Sequence, residues 1–365
     1  MNRTGGPDYS PKVEQIFQSA TEQAGTRGHL ARQKMIFALI FSMIETKSVQ
    51  FHDLATKLNE SAQDDSNLRR IQAFFAHYQL DYRVIAYALM SFVPTKKCCI
   101  SIDRTNWQFG QQNINILTLT VYTHGVGLPI LFEMLDKKGN SNAQEWIDLL
   151  AQFVALFGKE RILSLTADRE FIGKSWLKWL IDNQIDFAIR FPVSHLLTLR
   201  NGDVYSTPEL LAGQNERYFQ QVILDGVRVN VALKKLAQDW LIVAVPLPVR
   251  KLLAHYRHGW SIEAFFQSVK NCGFHLEETH LKDLGRLKKL MALVSLAFVF
   301  CWQVGYYHHQ NCSPIVLKSN GYKSNSFFRQ GLDLLRHACK FINFRLILFE
   351  HYLSWLSRDP TIKSV

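Results

Sequence analysis

The stretch RILSLTADREFIGKSWLKWL, residues 161–180, decides the fold class of this chain. Its first part, RILSLTA, has the length and composition of a buried strand, and KSWLKWLIDN has apolar residues at helical spacing. Asp168 stands between them, at the strand end, where catalytic and metal-binding groups commonly lie in α/β sheets. An Asp in this place is also a frequent helix N-cap. The stretch alone leaves both interpretations of Asp168 open.

The same stretch contains Gly173-Lys174-Ser175, which matches the end of the phosphate-binding loop G-x-x-x-x-G-K-[ST]. The first glycine of that loop allows the backbone to turn around phosphate oxygens. Here that position is Asp168, and a carboxylate would repel the phosphate. The sequence therefore disfavours a nucleotide site, and no nucleotide cofactor is expected.

Outward from this stretch, the pattern of residues 98–191 is β-β-β-α-β-α-β. CCISIDRTNWQFG alternates like a strand, and INILTLTVYTHGVGLPILFEML predicts two strands with a turn at His124-Gly125. SNAQEWIDLLAQFVALFG predicts an amphipathic helix with Ser141 or Asn142 as its N-cap, and IDFAIRF predicts the last strand. This order predicts an α/β domain with a mixed sheet.

The flanks of this domain predict helices. Residues 1–10 are expected to be disordered, and SVQFHDLATKLNESAQDDSNLRRIQ, within the helical N-terminal region, is compatible with a DNA-reading helix-turn-helix or with an ordinary bundle. The predicted divisions are a helical DNA-end-binding region (1–95), the first part of a catalytic core (96–191), a β-rich insertion (192–247), the second part of the core (248–310) and a helical C-terminal region for dimerisation or DNA binding (311–365).

Composition narrows the class of partner. The 365 residues carry a net charge of +11, and residues 249–365 hold 16 Lys and Arg against 7 Asp and Glu. This excess favours a phosphate-rich partner. The six cysteines form no C-x-x-C pair, which fits free thiols in a reducing compartment. The N-terminus lacks a signal-peptide pattern, and the apolar segment 290–307 is predicted to be a central buried helix, so no membrane is expected.

Three acidic residues occupy positions that predict a site. Asp103 lies inside the first strand, where an unpaired charge is costly. Asp168 ends the fourth strand. Glu263 lies in YRHGWSIEAFFQSVK, residues 256–270, which as one helix places Glu263, Gln267 and Lys270 in a polar stripe beside an apolar one. Such a Glu and Lys pattern is also typical of a surface ion-pair ladder. Three hard carboxylates on one α/β domain suit Mg²⁺ or Mn²⁺, and two such ions catalyse phosphoryl displacement.

Four motifs, SIDRTNW, GNSNAQEW, TADREFIG and YRHGWSIEAFFQSVK, resemble those of bacterial cut-and-paste insertion-sequence transposases of the DDE class, the group with the YREK signature. The resemblance runs from about residue 98 to 305. It implies a ribonuclease-H-like catalytic domain interrupted by a β-rich insertion, with Asp103, Asp168 and Glu263 as the catalytic, metal-binding triad and two Mg²⁺ or Mn²⁺ ions as cofactors. It also implies double-stranded DNA as partner, at transposon ends and target, a homodimer in a synaptic complex, and a cytoplasmic, nucleoid-associated location in a bacterium.

The resemblance extends to residues that hold DNA. Of the signature, Tyr256, Glu263 and Lys270 match, whereas the expected arginine is replaced by Gly259. Arg257 is near in sequence but falls elsewhere on a helix. Further candidates for DNA contact are Arg104, Arg169 and Trp240. Arg104 and Arg169 follow the two aspartates and contact phosphate or lock a carboxylate, with the structural role favoured for Arg104. Trp240 is a candidate for stacking on a flipped base, although a core tryptophan is the more common role.

Two alternatives accompany this prediction. The departure at Gly259 and the short spacer PLPVRKLLAH allow a catalytically inactive, sequence-specific DNA-binding derivative of a transposase. Paired carboxylates also occur in glycoside hydrolases. Metal dependence separates the sugar chemistry from the transposase, and the net charge of +11 fits nucleic acid better.

Overall fold

The structure is a computed structural model that describes residues 11–26, 30–211, 213–236, 239–246, 261–319, 321–340 and 352–357. The expected disorder of residues 1–10 falls outside these ranges. The chain divides into two compact units. A helical unit comprises Met1–Pro94, Trp107–Gln112 and Phe265–Val365, and a sheet unit comprises Thr95–Asn106 and Asn113–Ala264.

The helical unit begins with five helices, as its helical periodicity predicts. They are α1 (Pro11–Gln23), α2 (Leu30–Thr46), α3 (Phe51–Leu58), α4 (Asp64–His77) and α5 (Tyr82–Met90). Buried Asn67 joins α3 to α4, because its side-chain amide donates to the carbonyls of Ala55 and Asn59, both at 2.9 Å. This satisfies the C-terminal carbonyls of α3, which have no partner within the helix. Whether the pair reads DNA stays a prediction.

The segment 290–307 is buried, as predicted. It belongs to α10 (Leu284–Asn311), which packs against α2, α5 and α11 (Phe327–Lys340). Among the described residues α10 is the one helix long and apolar enough to cross a membrane, with a mean hydropathy of 1.6 over its most apolar window, and that window is entirely buried inside the protein. Gly305 of α10 and Gly331 of α11 meet where the two backbones touch, which no side chain would allow.

The sheet unit has the predicted β-β-β-α-β-α-β order. Its elements are β1 (Cys98–Phe109), β2 (Gln112–Thr123), β3 (Val126–Met134), α6 (Ala143–Phe157), β4 (Ile162–Ala167), α7 (Lys174–Asp182) and β5 (Phe187–Arg190). His124 and Gly125 form the predicted turn, with positive φ of 43° and 88°. Asn142 is the N-cap of α6 in a capping box with Glu145. These strands align in the order β3-β2-β1-β4-β5, with β1, β4 and β5 parallel.

The region predicted as a β-rich insertion continues the same sheet. It contains β6 (Leu196–Thr198), β7 (Val204–Ser206), α8 (Thr207–Leu211), β8 (Glu216–Leu224), β9 (Val227–Lys235) and β10 (Trp240–Val245). β10 pairs antiparallel with β5, so the described residues form a sheet of ten strands in the order β3-β2-β1-β4-β5-β10-β9-β8-β6-β7. The predicted α/β fold class, a mixed sheet with flanking helices and helical terminal regions, is confirmed.

The helix predicted over residues 256–270 is described from residue 261. α9 spans Ser261–Gln267, and a π-helical turn follows at Ser268–Cys272. The prediction of one continuous α-helix to Lys270 is therefore wrong in its last residues. A π turn bonds i to i+5 and is wider than an α turn, so the spacing that places Glu263 and Lys270 in one stripe does not hold.

Candidate active site

Strand register brings Asp103 and Asp168 side by side. In the parallel pair of β1 and β4, Ile102 lies opposite Ala167, so the next residue of each strand is an aspartate. In the parallel pair of β4 and β5, Ala167 lies opposite Ile189. The residue after Ile189 is Arg190. One row across three neighbouring strands therefore reads Asp103, Asp168, Arg190.

Asp168 does not cap the following helix. α7 begins at Lys174, its N-cap is Gly173, and no side chain accepts a hydrogen bond there. The Asp168 carbonyl instead accepts from the Phe171 amide at 2.9 Å and closes the turn after β4. The Asp168 side chain is 62% exposed. Of the two interpretations of Asp168 that the sequence leaves open, the N-cap is excluded.

Glu263 lies on α9, whose first turn packs closely on β3. A side chain on Gly127 would lie 3.2 Å from the Ile262 backbone nitrogen and 2.7 Å from the Thr120 hydroxyl oxygen. Glycine at this position therefore allows the helix to approach the strand. Ile262 is buried and Glu263 is exposed, so the carboxylate faces away from the core.

The three carboxylates influence one another electrostatically. Burial raises the pKa of Asp103 to about 7, a hydrogen bond from the Arg104 amide opposes this rise, and the charges of Glu170, Asp168 and Glu263 add to it. The pKa of Glu263 is raised by burial and then by Asp168. These raised pKa values are typical of a site with excess negative charge.

A hard divalent cation fits this donor set. The ligands available are carboxylate oxygens, and a bound cation would relieve the burial and repulsion that raise the pKa of Asp103 and Glu263. Across the described residues, no three His, Cys, Asp or Glu side chains are clustered closely enough to hold an ion. Asp168 and Glu263 thus lie close enough to raise the pKa of Asp103, but the three carboxylates do not form a coordination sphere.

Arg104 is engaged by a carboxylate that the sequence analysis did not identify. Its Nε and Nη2 donate to the two carboxylate oxygens of Glu170 at 3.0 and 2.9 Å, and its other contacts are Asn115 Oδ1 at 3.3 Å and Asn140 Oδ1 at 3.0 Å. The Arg104 side chain is 11% exposed. These contacts hold the backbone that follows Asp103, since the Arg104 amide donates to Asp103 Oδ1 at 2.7 Å.

A second group of charges lies on the other side of Asp168. Arg190 Nη1 lies 3.9 Å from Asp168 Oδ1, and Arg190 Nη2 donates to Asp239 Oδ2 at 2.6 Å and to the Trp240 carbonyl at 2.9 Å. Arg169 donates to the same oxygen of Asp239. The pKa of Asp239 is lowered, first by the hydrogen bond from the Trp240 amide and then by the two arginines.

Sequence reasoning did not find Arg190 or Asp239. The signal for Arg190 was present, because it ends the buried strand IDFAIRF as Asp168 ends RILSLTA. Asp239 has no comparable local signal. Trp240, the proposed stacking residue, is the first residue of β10 and is half-buried, and its backbone contacts Arg190 and Asp239.

Of the remaining predicted DNA contacts, Lys270 is the one that lies within the described residues. Lys270, in the helical unit, forms an ion pair with Glu277 at 2.5 Å and lies 5.3 Å from the centre of the Trp107 ring. Its side chain is 15% exposed. Tyr256, Arg257 and Gly259 are outside the described residues.

Comparison with known proteins assigns this chain to a family. Residues 94–300 match the family model described as "Transposase DDE domain". Comparison with curated proteins gave no match. One similar solved structure is the cryo-EM synaptic complex of piggyBac transposase with hairpin DNA, at 12% identity and a TM-score of 0.43, over 98% of this chain and 84% of that chain. The matched segment contains Asp103, Asp168 and Glu263 and more than half of the chain, which therefore belongs to the transposase DDE domain family.

Proposed function

We propose that this protein is a cut-and-paste DNA transposase of the bacterial insertion-sequence class with the YREK signature. In this proposal it hydrolyses phosphodiester bonds at the element ends and joins the freed 3′-hydroxyl to target DNA. The observation that carries the proposal is the row in which Asp103, within β1, lies beside Asp168, directly after the parallel strand β4, with Glu263 close enough to raise the pKa of Asp103. Family membership also argues against the glycoside hydrolase.

The proposed cofactors are two Mg²⁺ or Mn²⁺ ions, held by Asp103, Asp168 and Glu263. When bound, such ions activate the attacking water or hydroxyl and stabilise the leaving oxygen. The protein's own contribution is to hold two carboxylates on neighbouring strands of the sheet and the third on α9. The Arg104–Glu170 pair keeps the Asp103 backbone in place, and the close packing of α9 on Gly127 sets the position of Glu263.

The proposed partner is double-stranded DNA, at the element ends and at the target, bound by a homodimer in a synaptic complex. The net charge of +11 supports a polyanionic partner. Tyr256, Arg257 and Lys270 are the proposed contacts to end phosphates. For Lys270 this requires exchange of its ion pair with Glu277 for one with phosphate. The proposed location is the cytoplasm of a bacterium, at the nucleoid.

The test uses purified protein and a supercoiled plasmid that carries the coding sequence with its native flanking DNA. With MgCl₂ we expect nicking and double-strand breaks at the borders of the element, and none with EDTA. Asp168→Ala is expected to lower the cleavage rate at least about 100-fold, since it removes a ligand of the metal. The matched control is Asp182→Ala on α7, where the side chain is exposed.

The outcomes separate the candidate functions. Cleavage that needs Mg²⁺ and Asp168 supports the transposase. Absence of cleavage with Mg²⁺ or Mn²⁺, together with salt-sensitive binding to the border DNA, would instead support the inactive DNA-binding derivative. Absence of both cleavage and binding would overturn the proposal.

A further inference from the structure

We propose that Arg169 and Arg190 form a binding site for one DNA phosphate beside Asp168, and that the Asp239 carboxylate fills this site until DNA displaces it. The inference rests on the proposed function, which supplies the DNA. The additional features are a phosphate site formed by residues of the sheet unit and a role for Asp239 as an anion that competes with the DNA phosphate.

The two guanidinium groups converge on a single point. Arg169 Nη2 and Arg190 Nη2 both donate to Oδ2 of Asp239. Arg190 Nη1 is also 3.9 Å from Asp168 Oδ1. The Arg190 guanidinium therefore lies between the Asp239 carboxylate and Asp168, one of the three proposed catalytic carboxylates. The guanidinium fork binds carboxylate and phosphate with the same geometry, so a phosphate can take the place of this carboxylate.

Arg190 is fixed before any ligand arrives. Its side chain is 9% exposed, and its buried Nε has no hydrogen-bond partner in the described part of the chain. A buried guanidinium is costly unless anions surround it, and here Asp168 and Asp239 supply them. Arg190 is therefore a preorganised cation with unused hydrogen-bonding capacity.

The other two members of the group are reachable from solvent. The side chains of Arg169 and Asp239 are 38% and 45% exposed. The exposed Arg169–Asp239 pair contributes little to stability, and a phosphate would give buried Arg190 the negative charge that Asp239 now supplies, so exchange of Asp239 for a phosphate costs little. The group thus combines a buried cation, Arg190, with an exposed and weakly held anion, Asp239. This combination is typical of an anion site whose occupant can exchange.

A purely structural role for Asp239 makes the opposite prediction. If Asp239 is a clamp that presents the two arginines to DNA, its removal weakens DNA binding. If it competes with phosphate, its removal strengthens DNA binding. The sign of one measured change therefore decides between the two roles.

The experiment measures binding of full-length protein to the border DNA in EDTA, by fluorescence anisotropy over a range of salt concentrations. Asp239→Asn is expected to bind roughly three- to thirtyfold tighter than wild type, because DNA no longer has to displace a carboxylate paired with one exposed and one buried arginine. The control Asp182→Asn removes the same charge from an exposed position on α7 and is expected to change affinity less than about twofold. The double variant Asp239→Asn/Arg169→Gln is expected to lose the gain.

Arg169→Gln gives a second, independent readout. Because Arg190 remains, this variant is expected to reduce the slope of log affinity against log salt by up to about 0.9, the value for the full loss of one phosphate contact. Arg200→Gln, at an exposed arginine of the same unit, is the control and is expected to leave the slope unchanged. The thermal midpoint of each variant checks that it is folded.

The possible results test the phosphate site and the role of Asp239 separately from the proposed function. Equal or weaker binding by folded Asp239→Asn overturns the competing-anion role, and an unchanged slope for Arg169→Gln overturns the phosphate site. Either result leaves the proposed function intact if wild type still binds the DNA. If wild type does not bind the DNA at all, both the proposed function and this site fail.

Discussion

At the residue scale, Asp103 carries the strongest electrostatic signature of the site. Its pKa of about 7 in the folded protein compares with about 3.9 in an unfolded chain. Between these two pH values the folded state holds a proton that the unfolded state has lost. The contribution of Asp103 to stability is therefore fully present below about pH 4 and is lost as pH rises through about 7.

This difference predicts the behaviour of Asp103→Asn in EDTA. The variant cannot ionise, so its free energy of unfolding is expected to exceed that of wild type by about 1–4 kcal/mol more at pH 8 than at pH 4. Urea denaturation of both proteins over this range measures the difference, with Asp182→Asn as the control. A difference that does not change with pH would show that Asp103 is already ionised across the range.

At the element scale, the position of Glu263 depends on the contact between α9 and β3. In Gly127→Ala the new methyl group meets the Thr120 hydroxyl and the Ile262 backbone, so the start of α9 must move. We expect a loss of about 1–3 kcal/mol of stability from overpacking. We also expect a fall in cleavage rate of at least about tenfold, because Glu263 moves with the helix.

Urea denaturation and the plasmid cleavage assay measure the two effects of Gly127→Ala. The matched comparison is Gly127→Ala/Thr120→Ala, which removes the nearest atom, the Thr120 hydroxyl oxygen, but keeps the Thr120 Cβ, and is expected to recover part of both losses. Full activity in the single variant would mean that the contact does not position Glu263.

At the scale of the whole molecule, the chain divides into two compact units. Asp103, Asp168 and Glu263 belong to the sheet unit, and the Gly305–Gly331 crossing of α10 and α11 belongs to the helical unit. We predict two calorimetric transitions. We expect saturating MgCl₂ to raise the unfolding midpoint of the sheet unit. We expect Gly305→Ala to lower the midpoint of the helical unit, because its methyl group would overlap the Phe327 carbonyl.

The control for this experiment is Gly285→Ala, the same substitution in the exposed first turn of α10, where a methyl group meets only the Asp283 side chain. It is expected to leave both midpoints unchanged or to raise that of the helical unit slightly, since alanine favours helix. A single transition that both MgCl₂ and Gly305→Ala shift would show that the units unfold together.

Local sequence patterns were sufficient to predict most strands and helices and the positions of the two aspartates on their strands. Alternation predicted β1 to β3 and the turn at His124-Gly125, and the apolar run 290–307 predicted the buried helix α10. The aspartates at 103 and 168 were identifiable because a charge inside or directly after a buried strand is conspicuous locally. Each of these features depends on periodicity within a short window, which sequence alone contains.

Only the tertiary structure decided which charges meet. Arg190 lies beside Asp168 because β5 pairs with β4, and Asp239 reaches both arginines because β10 returns to pair with β5. The Arg104–Glu170 pair likewise joins residues 66 positions apart. Strand neighbours are chosen by packing over the whole sheet, and ion pairs at such separations leave no local pattern. Asp103, Asp168 and Glu263 were therefore identifiable from the sequence as candidates, whereas the arginines and carboxylates that surround the two aspartates became visible only once the strands were in register.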